Sequence, residues 1–173
     1  STTSVYILIQ LISSRIYAPY RGDYLNSNDP FLMIWGPWIS SSHFWDYFLA
    51  GLLHDFGKVI LVRQRPDEFS EAIEQAQKKK LALDVVERLI YGIDHAEIGA
   101  VLAGHWDLPD SLVRAIRYHH SAGDLSDPSL LEQVVMVGNL VVHKLDFGAS
   151  GNYYPAELPK SIETNLGMNV DDF

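Results

Sequence analysis

From Trp45 onward, helix-start and helix-stop signals divide the chain at short intervals, and this punctuation limits the fold more than any other feature. Phe48, Leu49, Leu52 and Leu53 recur at helical spacing between Trp45 and His54, with Gly57 as the expected stop. Val59 to Val62 is a short β-branched run, read as a helical continuation or a connector. Pro66-Asp67-Glu68 opens a helix to about Lys80, with proline in its first turn and lysines in its last. Asp84 with Glu87 has the spacing of a capping box, and that helix ends at Gly92. Asp94 with Glu97 repeats the spacing and starts a helix to about His105. Leu108-Pro109-Asp110-Ser111 starts the next, which ends near His119-His120. Asp127-Pro128 starts a longer one to about Leu145, and Leu158 to Leu166 is a last short helix closed by Gly167. No glycine-rich phosphate loop and no G-x-S-x-G elbow interrupts this series. The expectation is an all-α helical bundle over residues 45–173.

Residues 1–44 follow no such pattern and form an N-terminal segment without an assigned role. Pro19, Gly22, Asn26, Asn28 and Pro30 mark a loop, and Trp35-Gly36-Pro37-Trp38 a turn packed by aromatics. With 173 residues the whole chain makes one compact domain, and its start at Ser1 fits a piece of a longer protein.

Composition narrows the chemistry. A 47% hydrophobic, 20% charged chain has material for a core and is not a disordered one. The absence of cysteine excludes a disulfide scaffold, a thiolate zinc site and a cysteine nucleophile. A net charge of −9 offers no general field for nucleic acid or anionic membrane. Lys78-Lys79-Lys80 is the only basic run and reads as a solvated helix end. No segment reaches the roughly 20 apolar residues of a membrane span. Phe48 to Val62 comes nearest, but His54, Asp55 and Lys58 interrupt it. A cytoplasmic location is therefore expected.

Three helix boundaries carry the residues suited to chemistry. His54-Asp55 places an imidazole beside a carboxylate, a donor mix that suits Zn, Mn or Fe. A buried histidine bonded to a helix end is the competing reading. Asp94-His95 sits at a helix start, where Asp94 alone would serve as N-cap. His119-His120 lies at a helix C-terminus, where the dipole by itself would favour histidine. Adjacent helical residues point about 100° apart, so this pair meets one metal only near a frayed end, or else serves two. Together the three boundaries change the balance, because metal sites in bundles are built from facing helices. Lys58, one turn beyond His54, would neutralise a phosphate oxygen. His43, His105 and His143 read as packing or surface residues.

These residues also carry a resemblance. Phe48-Leu-Ala-Gly-Leu-Leu-His-Asp-Phe-Gly-Lys58 resembles the motif of the HD superfamily of metal-dependent phosphohydrolases. Glu87, Asp94-His95-Ala-Glu-Ile-Gly-Ala100, Leu102, Trp106-Asp-Leu-Pro109, Ala115-Ile116 and His119-His120 follow in an order similar to the HDOD family. HDOD is the HD-related output domain of bacterial signalling proteins. Leu158 to Asp172 is similar to that family's closing segment.

The resemblance implies an HD-like all-α bundle, a role in signal transduction and other signalling domains or proteins as partners. The acidic composition leaves no nucleic acid and no membrane partner expected. Carried over, the metal-type positions are His54, Asp55, His95, His119 and His120, with Asp55 and Lys58 as the catalytic pair. A divalent metal (Fe, Mn, Zn or Mg) is the implied cofactor, and a cyclic dinucleotide or other phosphoester the implied ligand. Two departures point to a degenerate pocket. The histidine that HD hydrolases carry upstream of the HD pair has no counterpart between Pro19 and Asp29. Their final aspartate is matched by Asn139, a neutral amide and a poorer ligand. A signalling domain without phosphohydrolase turnover is therefore expected, with a metal-dependent phosphohydrolase, such as a cyclic-dinucleotide phosphodiesterase, as the alternative. If the pocket exists, His54, Asp55, His95 and His119 or His120 must converge within metal-bridging distance.

Overall fold

The computed structural model describes residues 44–144 and 150–167. The segment 1–43 with His43 and its tryptophan turn, the helix end at Leu145 and residues 168–172 of the closing segment lie outside the described residues. Within them, all regular structure is helical: α1 (Phe44–Leu53), α2 (Phe56–Gln64), α3 (Pro66–Lys79), α4 (Leu83–Tyr91), α5 (His95–His105), α6 (Asp110–Tyr118), a 3₁₀ turn (Ala122–Asp124), α7 (Leu130–Lys144) and α8 (Lys160–Leu166). The all-α expectation holds. No described helix is long and apolar enough to cross a membrane.

The helix ends show where local signals rule and where tertiary contacts override them. Gly57 does not stop a helix; it lies in the first turn of α2, and the break falls at His54-Asp55. Val59 to Val62 is thus a helical continuation. Glycine is required at 57 for another reason. A Cβ there would lie 1.9 Å from the His95 carbonyl oxygen, so α2 and α5 cross backbone to backbone. Gly99 continues the crossing on the α5 side, where an added Cβ would lie 3.4 Å from the Gly57 nitrogen.

Asp84 and Glu87 do not form a capping box. Ala82 occupies the N-cap of α4 without a side-chain bond. The Leu83 N–H instead donates to Asn152 Oδ1 at 3.1 Å, from 69 residues away. Asp84 pairs with Arg88, which also holds Asp94, while Glu87 is wholly buried and turned to His95. Asp94 does cap α5, accepting from the Glu97 N–H at 2.8 Å, but the Glu97 carboxylate goes to Arg117. The start of α7 lies past Asp127-Pro128. Ser129 and Glu132 form a reciprocal capping box there, with bonds of 2.6 and 3.3 Å. Gly92 and Gly167 end α4 and α8 in the left-handed conformation, as expected of C′ glycines.

Two ends of the bundle are packed by separate apolar clusters. Leu61, Phe69, Ala72, Ala76, Leu83 and Val86 join α2, α3 and α4. Ala50, Leu112, Ala115, Leu131 and Val135 join α1, α6 and α7. Ala100, Ala103 and Ile116 fasten α5 to α6, and Ala122, Met136, Val137 and Ile162 fasten α7 to α8. Between these clusters the α1–α2 break, the α5 N-terminus and the α6 C-terminus meet. The space they enclose is filled with polar side chains.

Candidate metal centre

Each boundary delivers its residues for a local reason. The His54-Asp55 turn interrupts α1 and α2, which frees both side chains from a single helical face. His95 is the first residue of α5, set by the Asp94 cap. His119 and His120 follow the last residue of α6, where His119 is the C-cap and keeps right-handed helical backbone angles, and both rings reach the shared space. His54, His95 and His119 are buried, and Asp55 and His120 are half-buried.

Asp55, His95, His119 and His120 each aim one donor atom into the same space, and those four atoms lie within 4.8 Å of one another. Asp55 Oδ1 stands 3.3 Å from His95 Nε2 and 3.6 Å from His119 Nε2. His120 Nε2 faces His95 Nε2 at 2.9 Å. His54 lines the same space but is not one of the four. Its Nε2 lies 3.6 Å from Asp55 Oδ2, and its ring stands edge-on to His119 at 4.9 Å between centroids. Lys58 is buried, and its ammonium donates to Asp55 Oδ2 at 2.8 Å. Asp55 Oδ1 thus faces His95 and His119, and Oδ2 faces Lys58 and His54.

The outer ring nitrogens are also engaged. His54 Nδ1 lies 2.8 Å from the Gly51 carbonyl and His119 Nδ1 2.6 Å from the Ile116 carbonyl. His95 Nδ1 meets Glu87 Oε2 at 2.5 Å, and that oxygen also accepts the His95 main-chain N–H at 2.9 Å. Nδ1–H donation to these acceptors leaves the Nε2 lone pairs directed inward.

Electrostatics follow from burial and crowding. Burial pushes the His54 pKa down to about 4, against the opposing pull of Asp55. His120 is held well below its ordinary value by burial and by neighbouring His119 and His95. Burial opposes ionisation of Asp55, but Lys58, His54 and the close approach of His119 and His95 hold its carboxyl well below the usual range. His95 is raised: burial and Lys58 oppose its charge, and the Asp55 and Glu87 carboxylates prevail.

The residues fit a metal. Asp55 Oδ1 and His119 Nε2 are buried without a hydrogen-bond partner among the described residues, an arrangement that is costly unless something else engages them. Three imidazole nitrogens and one carboxylate oxygen make a four-donor set suited to Zn, Mn or Fe. All the residues expected from the sequence line or adjoin this space except Asn139. That residue is buried on α7, and no hydrogen bond links it to the cluster. His105 is exposed, and His143 bonds Ser150 at 3.3 Å, so both stay outside the donor set. Glu87 is the residue whose role local reading missed. Its spacing to Asp84 mimics a cap, and its true partner sits eight residues on across a turn.

The bundle is all-α and HD-like in its fold. The HDOD domain family model matches residues 39–122, and over this stretch the chain is similar to that family. A solved HDOD domain protein of unknown function from Geobacter sulfurreducens is 22% identical. It superposes with a TM-score of 0.63 over 95% of this chain and 47% of its own. A "Putative signal transduction protein" from Marinobacter aquaeolei VT8 is 23% identical, with a TM-score of 0.61 over 74% of this chain and 28% of its own. An uncharacterized protein of Treponema pallidum (strain Nichols) is 28% identical over 118 residues, 68% of this chain and 22% of that protein. The chain thus spans about a fifth of that relative and less than half of either solved structure.

Proposed function

We propose that this domain is a bacterial, cytoplasmic signalling output module whose pocket binds a divalent metal without phosphohydrolase turnover. The observation that carries the reading is the division of Asp55. Its Oδ1 joins three histidines, while Oδ2 is taken by the Lys58 ammonium at 2.8 Å. Two-metal phosphoesterase centres hold ions roughly 3.5–4 Å apart, and a carboxylate bridging such a pair through both oxygens would need each of them free. Here one arm of the sole carboxylate in the donor set already faces a cation. Asn139, in place of the aspartate of the family pattern, removes a further charged ligand.

A bound divalent ion would supply a Lewis acid able to hold an anionic oxygen. The chain's own contribution is to hold four donors in a largely buried pocket and to keep Lys58 beside them. Partners are other signalling domains or proteins, with no nucleic acid and no membrane among them. The competing reading is a metal-dependent phosphohydrolase acting on a cyclic dinucleotide or another phosphoester. It rests on Lys58, a buried cation poised beside the cluster.

Metal analysis of the purified protein after loading with Mn²⁺, Fe²⁺ or Zn²⁺ tests the first part. About one equivalent per chain is expected for a single four-donor site. Bis-p-nitrophenyl phosphate and cyclic di-GMP are then offered to the loaded protein. No turnover above the His119→Ala variant is expected. Turnover that vanishes in that variant would establish the phosphohydrolase, whereas no bound metal and an unchanged melting temperature would remove the metal.

A further inference from the structure

We propose that Glu87 is a positioning residue that sets the orientation and tautomer of His95 from outside the donor set. Glu87 is completely buried, on α4, a helix that contributes no donor to the pocket. One oxygen, Oε2, holds two groups of the same residue: the His95 main-chain N–H at 2.9 Å and the ring Nδ1 at 2.5 Å. The first contact satisfies an N–H at the start of α5 that the helix itself leaves unpaired. The second fixes the ring, because an imidazole that donates Nδ1–H to a carboxylate presents its Nε2 lone pair on the opposite side. That side carries Asp55 Oδ1 and His120 Nε2.

The other histidines are oriented differently. His54 and His119 meet main-chain carbonyls of their own helices, three residues back. His95 starts its helix and has no preceding turn to supply a carbonyl. A buried carboxylate from another helix replaces it. Such partners typically change metal affinity by about 10–100-fold when removed.

The inference rests on the metal-binding reading for its affinity arm only. In the metal-free protein at alkaline pH, ¹⁵N NMR of the imidazoles is expected to show His95 in the Nδ1–H form. In Glu87→Ala that signal is expected to move to a tautomer mixture, while His119 keeps its own. Zn²⁺ titration is expected to show an affinity loss of about 10–100-fold in Glu87→Ala and a smaller one in Glu87→Gln, whose amide oxygen can still accept both bonds. Circular dichroism establishes that each variant is folded. If Glu87→Ala does not fold, the wild-type tautomer and Glu87→Gln carry the test. An Nε2–H tautomer of His95 in the wild type would overturn the proposal. So would Zn²⁺ affinity in Glu87→Gln as low as that of a ligand deletion such as His119→Ala. If the wild type binds no Zn²⁺, the metal reading fails, and the tautomer alone decides the role of Glu87.

Discussion

The α2–α3–α4 end of the molecule and the histidine end are built on opposite plans. The first is a cluster of the apolar side chains Leu61, Phe69, Ala72, Ala76, Leu83 and Val86. The second encloses four histidines, an aspartate, a lysine and a glutamate within the same bundle. Apolar packing is non-directional and tolerates small adjustments. A buried polar cluster is not tolerant, because each donor and acceptor needs a partner at a set distance. One end therefore stabilises the fold, and the other end holds a geometry at some expense of stability.

The largest expected effect tests the apolar end. Leu83→Ala removes a side chain with no exposed surface and should cost about 4 kcal/mol in urea unfolding. Metal affinity should stay at the wild-type value. A matching loss of affinity would mean that the two ends are not separable.

Gly57→Ala probes the seam between them. A methyl 1.9 Å from the His95 carbonyl must push α2 and α5 apart, at a cost of about 3 kcal/mol. Here metal affinity should fall together with stability, unlike Leu83→Ala. Calorimetric titration of both variants separates the two behaviours.

Acid should act on the histidine end through His54 and His95, with opposite signs. The folded His54 pKa is about 4, against an ordinary value of 6.5. As pH falls below 6.5 the unfolded chain takes up a proton that folded His54 resists until about pH 4. Stability present above pH 6.5 is thus lost on acidification, by roughly 3 kcal/mol for this group. His95 has the opposite sign: its raised pKa stabilises on the acid side, and that stability fades as pH rises through the folded value. Melting curves of metal-free protein against pH should steepen between pH 6.5 and 4, and His54→Gln should flatten that slope. An unchanged slope would show that His54 is not held neutral by burial.

The smallest effect concerns the α7 start. Ser129→Ala should cost about 1 kcal/mol through loss of one cap bond, with metal affinity untouched. Substituting Asp127 should do less, which distinguishes the observed start from the one expected at Asp127-Pro128.

The legibility of the two ends differs for the same physical reason. Helices α3 and α8 and the limits of α5 could be read directly, because Pro66, Gly167 and the Asp94 cap act within one turn of themselves. Asp55, His95, His119 and His120 could be read as a set because three boundaries repeat one chemistry. The misread positions are those where a distant contact decides. Gly57 looked like a stop because its constraint comes from His95, on another helix. Asp84-Glu87 looked like a cap because local spacing carries no sign of the His95 ring beyond the turn. Asn152, which supplies the missing cap of α4, is 69 residues from Leu83 and leaves no local trace.

That bond gives the segment after α7 a mechanical part in the site. Asn152 holds the first turn of α4, and the next turn of the same helix carries Glu87, which grips His95. Three links thus run in series, from Asn152 to Leu83, along the helix to Glu87, and on to His95. Residues 150–152 are thereby coupled to the wall of the histidine cluster by two hydrogen bonds and one turn of α4.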